Sequence, residues 1–170
     1  EGDEIYRFGR GYGRDRITDY GGSDVVQMAD DILPEDIIVA RNTSDLILMI
    51  DGSDDQLIVE GWFDDNSVRV ESVEFDDGTI WNEAFLSNTT TFVGAEGSES
   101  LTGTTGDDTF IASAGNDSMF GEEGADSYHF YRGSGRDKVI DSGSSAAIDT
   151  IIFADDILPS DVVLFRDTNN

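Results

Sequence analysis

The chain has 170 residues, enough for one or two small domains with a real core. Ten Lys plus Arg face 37 Asp plus Glu, a net charge of -27, which argues against nucleic acid or an anionic membrane surface and in favour of cations as partners. No Cys is present, so disulfides and thiol redox chemistry are excluded. Ten Phe and five Tyr with β-type alternation also speak against a disordered acidic tail.

In chain order, residues 1–86 read as a β module. Ile37 to Ala40 is a short strand after the Leu33-Pro34-Glu35-Asp36 turn. Leu46 to Ile50 and Gln56 to Val59 flank Asp51-Gly52-Ser53-Asp54-Asp55, a hairpin signal. Val68, Val70, Val73 and Phe75 lie on one or two further strands before the Asp77-Gly78 turn, so the module is expected to be a meander. Trp62, Phe63, Phe75, Ile80, Trp81 and Phe85 supply bulk for a closing core, and single helical turns are expected near Asp30 to Asp36 and Asn82 to Leu86. Residues 87–93, opening on SNTTT, read as a linker.

Residues 94–141 carry a different rhythm. Phe92, Leu101, Phe110, Met119 and Tyr128 recur every nine positions. The last four follow the lead-ins Gly97-Ser98-Glu99-Ser100, Gly106-Asp107-Asp108-Thr109, Gly115-Asn116-Asp117-Ser118 and Gly124-Ala125-Asp126-Ser127. Glycine supplies a tight turn, the carboxylate a hard oxygen ligand, and the apolar residue one core position on a short strand. A nine-residue period of this composition predicts a parallel β-roll that binds calcium. Two repeats make one coil turn, so Glu99 stacks on Asp117 and Asp108 on Asp126, eighteen residues apart. Each pair brings two carboxylates into a corner lined by carbonyls, a flexible cage of about six oxygens that suits Ca²⁺ better than the stricter Mg²⁺. Without metal the pairs repel, and one rung has too little apolar surface to persist alone.

Residues 142–170 begin a second copy of the β module. Gly2 to Asp19 (GDEIYRFGRGYGRDRITD) matches Gly124 to Asp141 (GADSYHFYRGSGRDKVID) at an offset of 122, and Asp24 to Asp45 matches Asp149 to Asn170 at 125. The extra residues fall in the Ser/Gly/Ala-rich stretch Ser142 to Ala147, where insertion costs little. The chain starts in a turn and stops inside a repeat, so it reads as a piece of a larger polypeptide. Neither end reads as a cleavable signal peptide, and no apolar run reaches the length of a membrane span, so no stable membrane insertion is expected.

The array resembles the hemolysin-type (RTX) calcium-binding repeats of bacterial type I secreted proteins, Gly-Gly-x-Gly-x-Asp-x-apolar-x. The two longer copies resemble the calcium-binding-related module that flanks such arrays, through Tyr-x-Phe-x-x-Gly-x-Gly-x-Asp and Phe75-Asp76-Asp77-Gly78-Thr79-Ile80-Trp81. The resemblance implies an all-β fold, a right-handed parallel β-roll of nonapeptide repeats flanked by β-strand/meander capping modules, with several Ca²⁺ ions. It also implies export through a type I channel, a secreted, extracellular or cell-surface location, and folding on calcium outside the cell. The ligand sets it implies combine backbone carbonyls with the repeat's acidic residue. One set is Thr104, Gly106 and Asp108 with Gly121, Glu123 and Asp126. A second is Ala95, Gly97 and Glu99 with Ala112, Ala114 and Asp117. A third, at a spacing of twenty, is Ser113, Gly115 and Asp117 with Arg132, Ser134 and Asp137. No repeat keeps both leading glycines, as in Gly94-Ala95, Gly103-Thr104, Ala112-Ser113 and Gly121-Glu122, and Glu99 stands where Asp is usual.

The coil is expected to extend past the array through the wider turns ending at Asp15 and Asp137, with Glu4/Asp24 and Asp126/Asp149 as further pairs. For Glu4, Asp15, Asp24, Asp137 and Asp149 an ordinary acidic turn stands beside metal ligation, and Arg14 or Arg136 offers an internal charge pair in place of an ion. His129, the one histidine, reads as a packing or surface residue. Trp62 and Trp81 read as core or edge cover rather than a sugar platform. The carboxylates are spread at repeat spacing and not gathered on one cleft, and no nucleophile elbow, phosphate loop or zinc motif is present, so no catalysis is expected. The expected role is a calcium-binding module of a larger secreted protein. The rivals are a calcium-shaped adhesin or carbohydrate-binding segment and an accessory module of a secreted enzyme or toxin. An open edge on the incomplete second copy suggests self-association.

Overall fold

The structure, a computed structural model, describes residues 2–95, 97–143 and 147–166. The centre of the predicted insertion, 144–146, and the last four residues of the second copy lie outside the described residues. The chain forms two compact units, residues 1–93 and 94–170.

In the first unit, short strands alternate between two sheets. Strands β1 (Ile5–Phe8), β3 (Val25–Met28) and β7 (Ser72–Glu74) run parallel in one sheet, with β8 (Ile80–Asn82) antiparallel at its edge. The other holds β2 (Arg14–Ile17), β4 (Ile37–Arg41), β5 (Leu46–Ile50), β6 (Gln56–Val59) and β9 (Thr91–Val93). The expected meander is real for β4-β5-β6, which pair antiparallel around the Asp51-Gly52 turn. Around it the module is a coil, because β1/β3, β3/β7 and β2/β6 are all parallel. The reason is spacing: adjoining strands without a hairpin turn between them must return to the same sheet through a second one.

Buried Phe8, Val26, Leu46, Leu48, Val59 and Trp62 centre the core of this unit. Trp62 is fully buried, and Arg69 donates from Nε to its carbonyl at 2.9 Å. Trp81 packs edge-on against Phe75 and stacks on Phe85, so both tryptophans serve packing, as expected. Ile80 and Phe85 remain 61% and 52% exposed, so that part of the predicted closing bulk lies outside the core. Trp62→Ala is expected to destabilise this unit by about 3 kcal/mol or more, the scale of a large cavity. Urea unfolding read through Trp81 fluorescence measures it, and a loss under about 1 kcal/mol would contradict the packing described.

The turn signals hold. Pro34–Asp36 is a 3-10 turn, and Glu83–Leu86 forms α1, capped by Asn82 Oδ1 accepting the Phe85 N–H at 3.0 Å. The segment 87–93 is not wholly a linker: it ends in β9, which pairs with β4 at Arg41 and Phe92.

The second unit is the roll. Strands β10 (Ser100–Thr102), β12 (Ser118–Phe120) and β14 (Lys138–Ile140) form one parallel sheet. Strands β11 (Thr109–Ile111), β13 (Ser127–Phe130) and β15 (Thr150–Phe153) align in parallel in the other. Leu101 lies beside Met119 and Phe110 beside Tyr128, the eighteen-residue stacking that the period predicts. Leu101, Phe110, Met119 and Tyr128 are buried, and the Phe110 and Tyr128 rings stack 5.1 Å apart. The duplication is structural too: β1/β3 and β13/β15 pair in the same way, and the Pro34–Asp36 turn reappears at Pro159–Asp161. Only the cover differs. Val26 and Met28 of β3 are buried, whereas Ile151 and Phe153 at the same positions of β15 are 55% and 44% exposed. Among the described residues no helix is long and apolar enough to cross a membrane.

Candidate metal centre

The acidic residues of the roll form ladders from rung to rung. Asp126 Oδ1 accepts the Asp108 N–H at 3.0 Å, and Asp149 Oδ1 accepts the Asp126 N–H at 3.0 Å. On the other side Asp117 Oδ1 accepts the Glu99 N–H at 3.0 Å, and Asp137 Oδ1 accepts the Asp117 N–H at 2.9 Å. Parallel strands in register place each carboxylate beneath the amide of the same repeat position one coil turn earlier. One oxygen of each is thereby engaged by backbone. The second is not: Asp117 Oδ2 and Asp126 Oδ2 are buried without a hydrogen-bond partner, and so is the Tyr128 hydroxyl. Asp108, Asp117 and Asp126 are 2%, 1% and 1% exposed.

A buried oxygen without a donor costs about 1–3 kcal/mol, and more when charged. The chemistry of these donors, all hard oxygens with one lone-pair face open, fits a cation such as Ca²⁺. Bound there, the ion supplies the positive charge that the buried oxygens lack. The chain's own part is to hold the oxygens in place: the amide ladder sets each carboxylate, and the packed strands exclude water.

The first predicted set converges well. Thr104 donates to Asp108 Oδ2 from its amide at 2.6 Å and from its hydroxyl at 3.1 Å. A methyl placed on Gly121 would lie 2.1 Å from Asp126 Oδ2 and 2.2 Å from the Tyr128 hydroxyl. The Gly106 carbonyl abuts Gly124 of the next turn. Glu123 is exposed. In the second set Glu99 and Asp117 converge on Gly94, where a methyl would meet Asp117 Oδ2 at 3.0 Å and Glu99 Oε2 at 3.3 Å. Glu99 also accepts the Ala95 N–H at 3.1 Å, and the Ala95 carbonyl accepts the Ser113 hydroxyl. Ala112 is buried and Ala114 exposed.

The third set is bonded largely to itself. The Gly115 carbonyl accepts the Arg136 N–H at 3.2 Å, the Ser134 carbonyl accepts the Gly115 N–H at 3.0 Å, and Ser134 Oγ reaches the Ala112 carbonyl at 3.4 Å. The Arg132 guanidinium turns to Asp156 and Asp161. Asp137 faces Asp117, while the Arg136 amide goes to Asn116 Oδ1 at 3.2 Å. The Asp126/Asp149 pair is brought together, as is Glu4/Asp24 in the first unit, where Asp24 Oδ1 accepts the Glu4 N–H at 2.8 Å. Asp15 instead lies exposed on β2. Sequence reasoning missed Asp141, whose carboxylate gathers with those of Asp126 and Asp149. Its signal was present as the last residue of the duplicated segment.

Burial raises the carboxyl groups of Asp126, Glu99 and Asp137 above their ordinary values, and neighbouring carboxylates add to the shift: Asp108 on Asp126, Asp117 on the other two. Stability tied to a raised carboxyl is present at low pH and is lost as pH rises from the unfolded value through the folded one. In chelator, the array is therefore expected to gain stability as pH falls toward the ordinary 3.8 of Asp and 4.5 of Glu. In saturating calcium the trend reverses, since protons compete with the ion. Asp55 contributes the opposite sign, held below its ordinary value by the Gly11 and Gly13 amides. The measurement is thus the difference in urea midpoint between wild type and Asp126→Asn across pH. A difference that does not vary with pH in chelator would contradict the assignment.

Comparison with known proteins bears on these ladders. Residues 93–128 match the RTX calcium-binding nonapeptide repeat (4 copies), and residues 45–84 match the haemolysin-type calcium binding protein related domain. Searches of curated proteins and of solved structures each found no match. The nine-residue period, the parallel roll and the carboxylate ladders in register agree with the repeat match, so the chain carries an array of RTX calcium-binding nonapeptide repeats.

Proposed function

We propose that this chain is a noncatalytic, calcium-triggered folding module of a larger exported bacterial protein, binding several Ca²⁺ ions between successive rungs. The observation that carries this reading is the pair of buried, partnerless oxygens on Asp117 and Asp126, each in a carboxylate already anchored to the preceding rung. The ligand sets are those centred on Asp108/Asp126 and Glu99/Asp117, the first stronger because its acidic residues are the more buried. In low calcium the carboxylates repel and the chain stays expanded, a form suited to passage through a type I channel. In millimolar calcium outside the cell, sites of modest affinity fill and binding becomes folding free energy.

A catalytic role gains no support from carboxylates strung along ladders instead of meeting in one cleft. The glycan-binding alternative loses its first anchor, because Trp62 is fully buried. Self-association belongs to the proposal: the uncovered face of β15, with Ile151 and Phe153, and the exposed Leu164 and Phe165 after it present apolar surface to a further chain. Circular dichroism during calcium titration, with magnesium as control, tests the central claim. Strand signal rising with calcium and not with magnesium supports it, and a signal indifferent to both would end it.

A further inference from the structure

Asp24 lies in the turn before β3 and is 0% exposed. Its Oδ1 accepts the Glu4 N–H, while its Oδ2 is buried with no hydrogen-bond partner. Asp19, after β2 in the same turn, is 3% exposed. One of its oxygens accepts the Tyr6 hydroxyl at 3.0 Å and the other accepts the Tyr20 N–H. Oxygens of Glu4, Asp19 and Asp24 all lie within 4.8 Å of one another. An ion about 2.4 Å from each oxygen spans that distance.

We infer that Glu4, Asp19 and Asp24 form a divalent-cation site in the first unit, outside both matched segments, taking a hard ion of calcium's size. Four observations carry it beyond a group of acidic side chains. First, the orphaned oxygen is on the most buried of the three, in a carboxylate that gathers with the other two. Second, Glu71 Oε2 accepts the Asp24 N–H from the next rung, adding a fourth carboxylate to a corner that is already strongly negative. Third, the backbone is drawn in: a methyl on Gly22 would sit 1.7 Å from the Gly2 carbonyl oxygen and 3.0 Å from Asp24 Oδ1, so only glycine permits this approach.

The fourth observation is the duplication. Asp126, Asp141 and Asp149 occupy the equivalent positions and also gather within 4.8 Å, with Asp149 Oδ1 on the Asp126 N–H as Asp24 Oδ1 is on that of Glu4. All three positions stay acidic in both copies, while Val25 becomes Thr150. The first copy is the better shielded, because Asp141 and Asp149 are exposed. An ion at the first copy ties β1 to the turn before β3. This is independent of the array, whose residues lie in the other unit.

The full chain supplies the test, with calcium stoichiometry from equilibrium dialysis and Tb³⁺ emission excited through tyrosine. Asp19→Asn with Asp24→Asn should bind one Ca²⁺ fewer per chain, and Tyr6→Phe should lower the sensitised Tb³⁺ emission. The array variant Asp108→Ala with Asp126→Ala should keep this ion, so the two sets of sites are read separately. Should the double Asn variant fail to fold, Glu4→Gln replaces it: Glu4 is exposed, and its loss should weaken one Ca²⁺ by about tenfold or more. Unchanged stoichiometry in the folded double variant, or unchanged binding in Glu4→Gln together with undiminished Tb³⁺ emission in Tyr6→Phe, overturns the site.

Discussion

With Asp108→Ala and Asp126→Ala together, the calcium midpoint for strand formation is expected to rise by about tenfold or more, while His129→Ala leaves it nearly in place. Asp126 offers an oxygen that is buried, partnerless and beside the Tyr128 hydroxyl, and Asp108 is engaged one rung earlier through Thr104. Removing both deletes the ion's charge partners at one corner and leaves the Phe110 and Tyr128 packing intact. Absolute stability is the wrong readout. In chelator the double substitution relieves burial and repulsion, so the metal-free array becomes less unstable even as the calcium-bound one loses its ion. Calcium dependence separates the two effects. His129 lies half-buried on β13 next to Tyr128, outside either ladder, so its loss changes only local packing. Equal shifts from the two variants would show that calcium acts elsewhere.

Gly115→Ala should be among the most damaging single methyls in the array, costing about 4 kcal/mol or more. The added carbon would lie 1.6 Å from the Gly97 carbonyl oxygen and 2.8 Å from its carbon, both backbone atoms of the preceding turn. Backbone cannot rotate away as a side chain can. Relief requires separating two rungs whose strands are held about 4.8 Å apart by their ladder bonds. Parting them also breaks the Asp117 bond to the Glu99 amide on which the second ligand set depends. Gly106→Ala is the matched control. There the nearest atom is Thr104 Oγ1 at 3.6 Å, an ordinary contact, so the loss should stay under about 1 kcal/mol. Urea unfolding in saturating calcium compares the two, and similar losses would refute the close rung approach.

Much of this was legible before any coordinates. Leu101, Phe110, Met119 and Tyr128 are buried as their period demands, and the Asp51-Gly52 hairpin and the Pro34 turn stand where local residue chemistry puts them. Such features are local: each depends on a few neighbouring residues and repeats until it is unmistakable. The first unit was read less well. Its coil pairs β2 with β6 and β3 with β7 across long stretches of chain, and parallel pairing leaves no turn signature between the partners. Hence the meander was visible and the coil around it was not.

Residue order alone dictates the nine-residue rung, the duplicated module and the calcium chemistry, because a glycine turn, a carboxylate and one apolar side chain suffice for each rung. Three-dimensional packing alone decides which oxygens are left without partners. Asp24, Asp117 and Asp126 look like other acidic turn residues in the sequence, yet stacking buries one oxygen of each while a neighbouring amide takes the other. Desolvation depends on what lies above and below, and only the folded coil supplies that.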